Sequence, residues 1–165
     1  MQAYSENQGL PTFGLSIEGI TDSTPYFYLD FSNSNTVAWG SGCTYTDIGV
    51  YEAGDCSQKP TYMEMGFNGT EAGLPSFFGS FSDRSFGGFN VSGTRYLSKM
   101  CFGSDSCVSH YIYSGDLITA DSWLYGESAA YGILGLGPYS TLWEGFVDPV
   151  TLVATYTVSV VRKVG

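Results

Sequence analysis

Phe13, Leu15 and Ile17 alternate with Gly14, Ser16 and Glu18. A period of two lines one face of an extended chain with apolar groups, so this run buries well only as a strand. Phe13–Ile20 (FGLSIEGI) is therefore predicted as a strand, TDSTP as a turn, and Pro25–Phe31 as a second strand. TYMEMGF (Thr61–Phe67) alternates again, and SHYIYSG reads as a further strand. SFFGSFSDRSFGGFNVSGTRYL reads as a β-hairpin with its tip near Ser82–Arg84. AAYGILGLGP (Ala129–Pro138) is a buried apolar strand running into a Gly-rich turn. A short helix is expected from Ser140 and Thr141, where STLWEGFV offers an N-cap ahead of an acid. TLVATYTVSVVRKV closes the chain as a β-branched strand.

Composition agrees with a sheet rich in turns. The chain has 22 Gly, many Tyr, Phe, Ser and Thr, and only 13% charged residues, about half the usual share. Its 165 residues suffice for one core. With no repeat, linker or low-complexity block, the expectation is one all-β domain over residues 1–165.

Acids outnumber bases 16 to 6, for a net charge of −10. That charge repels phosphate backbones and anionic membranes, which argues against nucleic acid as a partner. It suits an acidic compartment, where protonation relieves self-repulsion, and equally suits plain solubility. Cys43, Cys56, Cys101 and Cys107 contain no C-x-x-C pair, so zinc is a poor reading and no metal site is expected. Local disulfides Cys43–Cys56 and Cys101–Cys107 are the simplest of three possible pairings, the first bounding a Gly- and Asp-rich loop. The sequons Asn68-Gly-Thr and Asn90-Val-Ser join the even cysteine count in favouring a secretory, extracellular or lysosome-like location. Met1 is followed directly by polar QAYSENQ, so neither a signal peptide nor a membrane span is expected within the chain.

The stretch YFYLDFSNSN delivers one acid, Asp30, from an aromatic strand into small polar residues. Cys43 follows it, then the hairpin FFGSFSDRSFGGFNVSG, then YGILGLGP, then LWEGFV before ATYTVSVV. In this order the features resemble the N-terminal lobe of pepsin-like aspartic proteases, over nearly the whole chain. The resemblance implies a twisted, multi-layered β lobe with one or two short helices. It aligns Asp30 with a catalytic aspartate, the hairpin with the flap over substrate, and Phe78 best with the flap aromatic, Phe81 and Phe77 being rival alignments.

That chemistry needs two aspartates, one per lobe, sharing a proton about 3 Å apart. It also needs small and hydroxylated neighbours. Here the family's Asp-Thr-Gly-Ser-Ser-Asn reads Asp30, Phe31, Ser32, Asn33, Ser34, Asn35. Val37 stands where the family has Trp, Tyr131 stands at the acid that opens Asp-Gly-Ile-Leu-Gly-Leu-Gly, and the flap Tyr hydroxyl is missing. Asp22-Ser-Thr and Asp121-Ser-Trp are the nearest approaches to a second motif, and neither properly follows an apolar strand. Each lost transition-state hydrogen bond typically costs 10²–10³ in rate.

The expected function is thus that of a secreted, glycosylated, inactive protease homologue that binds a partner or serves as an assembly module. The partner expected is a second lobe, another copy or another protein subunit, with peptide as a further ligand and no cofactor. The alternative is the N-terminal lobe of a working endopeptidase in which Asp30 is one of two catalytic acids. Carbohydrate binding through exposed aromatics is a weaker reading. Phe77, Phe78, Phe81, Phe86 and Phe89 fit either a peptide groove or sheet packing, packing being the commoner use. His110 lacks the Ser and acid spacing of a triad, so a surface or strand position is expected for it. DFSNSN lacks the Gly and Glu of a calcium loop, and GLGPYS lacks the Lys of a phosphate loop.

Overall fold

A computed structural model describes residues 12–22, 24–31, 34–49, 51–58, 64–85, 89–104, 106–120, 130–140 and 142, without the side chains of 78–85, 89 and 120. The described residues form a nine-stranded sheet. Its strands are β1 (Thr12–Gly14), β2 (Ser16–Ile17), β3 (Tyr26–Asp30), β4 (Thr36–Asp47), β5 (Glu52–Asp55), β6 (Ser76–Ser85), β7 (Phe89–Cys101), β8 (Cys107–Ala120) and β9 (Gly132–Gly135). The spatial order is β1-β3-β9-β4-β8-β7-β2, with β5 beside β4 and β6 beside β7. The all-β expectation holds.

The feature that positions the site is the seat of β9. Consecutive strands β3 and β4 do not pair; β9, about a hundred residues later in the chain, lies between them. It runs parallel to β3 and antiparallel to β4. A strand so enclosed faces packed side chains on both sides, which is why Gly-Ile-Leu-Gly carries no polar residue and is buried throughout. Leu134 enters a core with Leu15, Phe27, Ala38, Phe67, Met100 and Ile112. Its neighbour Ile133 enters a second core with Val37, Trp39, Tyr45, Val91 and Ile118. Burying a side chain of this size contributes about 2 kcal/mol.

β8 changes face along its length. Val108, His110, Ile112 and Ser114 are all buried, and Ile112 packs in the first core; Ile118 packs in the second. The switch coincides with register irregularities between Trp39 and Thr44 on β4 and between Ser92 and Arg95 on β7. A slip in register turns every later side chain to the other face. Asp116 marks the spot, its carboxylate lying against the α-carbons of Gly40 and Gly93 and accepting the Ser114 hydroxyl.

Several expectations are corrected. Phe13–Ile20 is not one strand: β1 pairs with β3 while β2 pairs with β7, because the chain changes partner at Leu15, whose N–H goes to Pro25 O. The span between Cys43 and Cys56 is a hairpin rather than a loop, β4 and β5 pairing from Thr44↔Asp55 to Asp47↔Glu52. Its turn uses Tyr51 at φ 53°. Within Thr61–Phe67, residues 61–63 lie outside the described residues, and Phe67 makes only an isolated bridge to Gly40. Ser82–Arg84 are not the hairpin tip; they pair with Asn90–Ser92, and the ladder runs on to Ser85↔Phe89. The helix expected from Ser140 and Thr141 falls almost entirely outside the described residues, and the final strand does so completely.

Both expected disulfides form. Cys43–Cys56 closes the β4–β5 hairpin and Cys101–Cys107 closes the β7–β8 turn. A closed loop of the first size stabilises by about 3 kcal/mol in the chain-entropy account.

The enclosure of β9 makes a sharp prediction. A methyl at Gly132 would lie 1.9 Å from Val37 O and 2.8 Å from the Ala38 α-carbon, main-chain atoms that cannot swing aside. Gly132→Ala should cost about 3 kcal/mol in urea unfolding. Gly42→Ala, with nothing within 4 Å, should change stability by less than about 0.5 kcal/mol.

Candidate functional site

Asp30 is the last residue of β3 and is 5% exposed. Its position is fixed from β9: it pairs in register with Gly135, and its carbonyl accepts Leu136 N–H at 2.8 Å. The loop that leaves Asp30 crosses Gly135 so closely that a methyl there would lie 2.4 Å from Asn35 O. Only glycine permits that crossing.

A chain of buried polar groups secures the loop. Gly135 N–H donates to Thr36 Oγ1 at 3.2 Å, and Thr36 Oγ1 lies 3.0 Å from His110 Nε2. Ser140 Oγ donates to Gly135 O at 2.7 Å and accepts Leu142 N–H at 3.3 Å. Tyr139 N–H donates to Ser34 Oγ at 3.2 Å. Thr36, His110 and Ser140 are all buried, where a hydrogen bond lost costs more than one gained contributes.

Outside this chain the same end of the sheet is exposed and aromatic. Phe31 is 54% exposed and Tyr139 is 88% exposed. The Phe31 ring therefore points to solvent beside the buried acid.

Two other acids, Asp116 and Asp22, accept side-chain hydroxyls and stand elsewhere. Asp116 is on β8, three strands from β3, about 14 Å at ~4.8 Å per strand. Asp22 accepts the Tyr131 hydroxyl at 2.9 Å, and Tyr131 precedes β9 at the end of β3 opposite Asp30. Burial, the Asp22 hydrogen bond and the charges of Asp22 and Glu64 push the Tyr131 phenol up to about 12. Among the described residues no group of three or more His, Cys, Asp or Glu could hold a metal ion, and no helix is long and apolar enough to cross a membrane.

The remaining candidates divide. Phe78 falls in the irregular part of the β6–β7 ladder and Phe81 pairs with Gly93; their side chains lie outside the described residues. Phe77 is half-buried and meets Tyr111 edge-on at 5.2 Å, with the Arg95 guanidinium 5.1 Å from its ring, which is sheet packing. Asn68 is half-buried, and its side chain accepts Glu71 N–H at 2.9 Å and donates to Glu71 Oε2 at 3.1 Å. The sequon's Thr70 hydroxyl lies 3.1 Å from Tyr96 OH. Asn90 is exposed on β7, the more open of the two sequons. His110 is on a strand, as expected, and is buried rather than at the surface. Its role was missed, although alternation with Val108 and Ile112 carried the signal.

Thr36→Val keeps the shape and removes the hydroxyl, leaving Gly135 N–H and His110 Nε2 to lose a partner in the core. It should cost about 2–3 kcal/mol in chemical unfolding, and Thr36→Ser about 1. Comparison with known proteins adds no identity: no family model matches the chain, and no curated protein matches its sequence.

Proposed function

We propose that this chain is a pepsin-like lobe without peptidase activity that works as a secreted binding or assembly module. The observation that carries the reading is the pairing of a buried Asp30 with an outward-facing Phe31. A hydrolytic acid must meet water, substrate and a second carboxyl at close range. Here the carboxyl is enclosed, and the position beside it presents a ring.

Three features support the pepsin-like part. An acid ends a strand that an Ile-Leu-Gly strand flanks in parallel, that strand lies between β3 and β4, and a long hairpin follows. Two disulfides suit an oxidising compartment, in keeping with the secretory reading. The binding part rests on Phe31 and Tyr139. Large exposed aromatics on a rigid support lose little freedom on binding and are favoured interface anchors.

Two measurements test the proposal. Incubation with unfolded protein substrates from pH 2 to pH 7 should give no cleavage, for the wild type as for Asp30→Asn. Light scattering over a dilution series should show self-association or a stable complex with another subunit, weakened about 30-fold in a Phe31→Ser/Tyr139→Ser double variant. Acid-pH cleavage that disappears in Asp30→Asn would replace this reading by the catalytic one. A monomer that persists on dilution and takes up no subunit from its native source would remove the assembly role.

A further inference from the structure

Arg95 is a cation that the sheet holds in place without giving it a carboxylate. It lies on β7 opposite Phe77 of β6 and Tyr113 of β8. Its guanidinium carbon stands 5.1 Å from the centre of the Phe77 ring and 4.9 Å from that of Tyr111. The two rings meet each other edge-on at 5.2 Å. A guanidinium this near two ring faces is attracted by both. Among the described residues no hydrogen bond or ion pair reaches it, so its five N–H donors are left to solvent.

Two breaks of register meet at this residue. β6 slips against β7 between Phe77 and Ser80, and β7 slips against β8 between Ser92 and Arg95. Irregularities of this kind re-aim a side chain that a regular ladder would leave in line. Beyond them β7 alternates cleanly. Tyr96 packs against the first core and Ser98 and Met100 are buried, so Arg95, Leu97 and Lys99 line the opposite face. Arg95 and Lys99 are the two cations whose side chains are described, and they share that face. No Asp or Glu occurs in residues 75–77, 95–101 or 107–113, so the strands around them supply no carboxylate.

We propose that Arg95 is a ligand-binding residue that takes an acidic side chain of an extended peptide, with Lys99 meeting a second acid four residues further along that peptide. The site is separate from Phe31 and Tyr139, four strands away on β3 and beyond β9, and does not rest on their assembly role.

The chemistry selects the ligand. A planar guanidinium fork matches a carboxylate through two parallel hydrogen bonds. The Phe77 and Tyr111 rings already restrain the fork, so less freedom is lost when a ligand arrives. Four residues of strand separate Arg95 from Lys99, about 13 Å at ~3.3 Å each, which is also the spacing of the first and fifth side chains of an extended peptide. Nucleic acid and anionic membrane are poor candidates, because a net charge of −10 repels a polyanion far more than it repels a short peptide with two charges. A sugar acid fits less well, since rings set at 79° to each other share no flat surface on which a sugar could lie.

Calorimetric titration at pH 7 and low salt tests the site with two peptides, acetyl-Glu-Thr-Val-Thr-Glu-amide and its Gln-for-Glu counterpart. The acidic peptide should bind saturably, at least about 10-fold more tightly than the neutral one. The Arg95 Nε–H resonance should move with the first and stay still with the second. Arg95→Gln should weaken binding by about 10-fold or more, and Arg95→Lys, which keeps the charge and lacks the fork, should recover only part of it. The Phe31→Ser/Tyr139→Ser variant should bind the acidic peptide as the wild type does. Equal binding of the two peptides, no saturable binding of the acidic one, or full affinity in Arg95→Gln or Arg95→Lys would each overturn the assignment. So would displacement of the peptide by an equal concentration of glucuronate or inorganic phosphate. If Arg95→Gln fails to fold, the contrast between the peptides and the Nε–H resonance of the wild type decide the matter.

Discussion

The structure depends on the close approach of β9 to the main chains on either side of it. Gly132 presses on Val37 and Ala38, and Gly135 presses on Asn35. Between them Ile133 and Leu134 reach into opposite cores. If β9 were displaced, β3 would lose its parallel partner and β4 its antiparallel one, so the two cores would separate from a common wall. The position of Asp30 follows from the same contact. Its strand ends where β9 ends, and the loop after it is held down on a residue with no side chain.

That wall also explains why polar groups are buried so deeply here. A strand threaded between two others leaves the loop at its end enclosed, with main-chain donors and acceptors that must be met locally. Thr36 and Ser140 meet those of Gly135. His110 then completes Thr36 from β8, a full strand further on. An apolar residue at either Thr36 or His110 would cost the other one of its hydrogen-bond partners.

How much of this was legible in the sequence depends on the range of the interaction. Tyr26–Asp30 and Gly132–Gly135 were readable because their apolar character is local and their ends carry turn residues. The Cys43–Cys56 span was misread because Gly49 and Gly54 signal a loop, whereas the actual turn is short and both arms pair. Phe13–Ile20 kept a perfect alternation across a change of partner, and alternation cannot say which strand lies alongside. The hairpin tip was placed too early because Ser82, Asp83 and Arg84 are polar, a property that an exposed sheet edge shares with a turn. At the site, Asp30 was visible as a lone acid after an aromatic strand. The Thr36–His110 contact spans 74 residues and exists only through the β4–β8 register, which no local pattern encodes.

Rigidity and exposure meet at one end of the molecule, and their combination bears on what a partner must be like. Tyr139 N–H is bonded to Ser34, and Phe31 directly follows Asp30, whose carbonyl is bonded to Leu136 N–H, so both rings leave anchored main chain. Preorganised rings lose little entropy on binding, which favours apolar contact as the source of affinity. The surrounding charge sets the complementary condition. At −10 overall, two copies brought together repel at long range, and the repulsion weakens as carboxylates take up protons. A different subunit with a neutral or basic face meets no such barrier and gains in encounter rate. On the proposed assembly role, self-association through this end would be favoured in acid or at high salt, and a heterologous basic partner at neutral pH. Phe31 follows directly on the acid that the β9 wall encloses, so a partner seated on that ring would also cover the approach to Asp30.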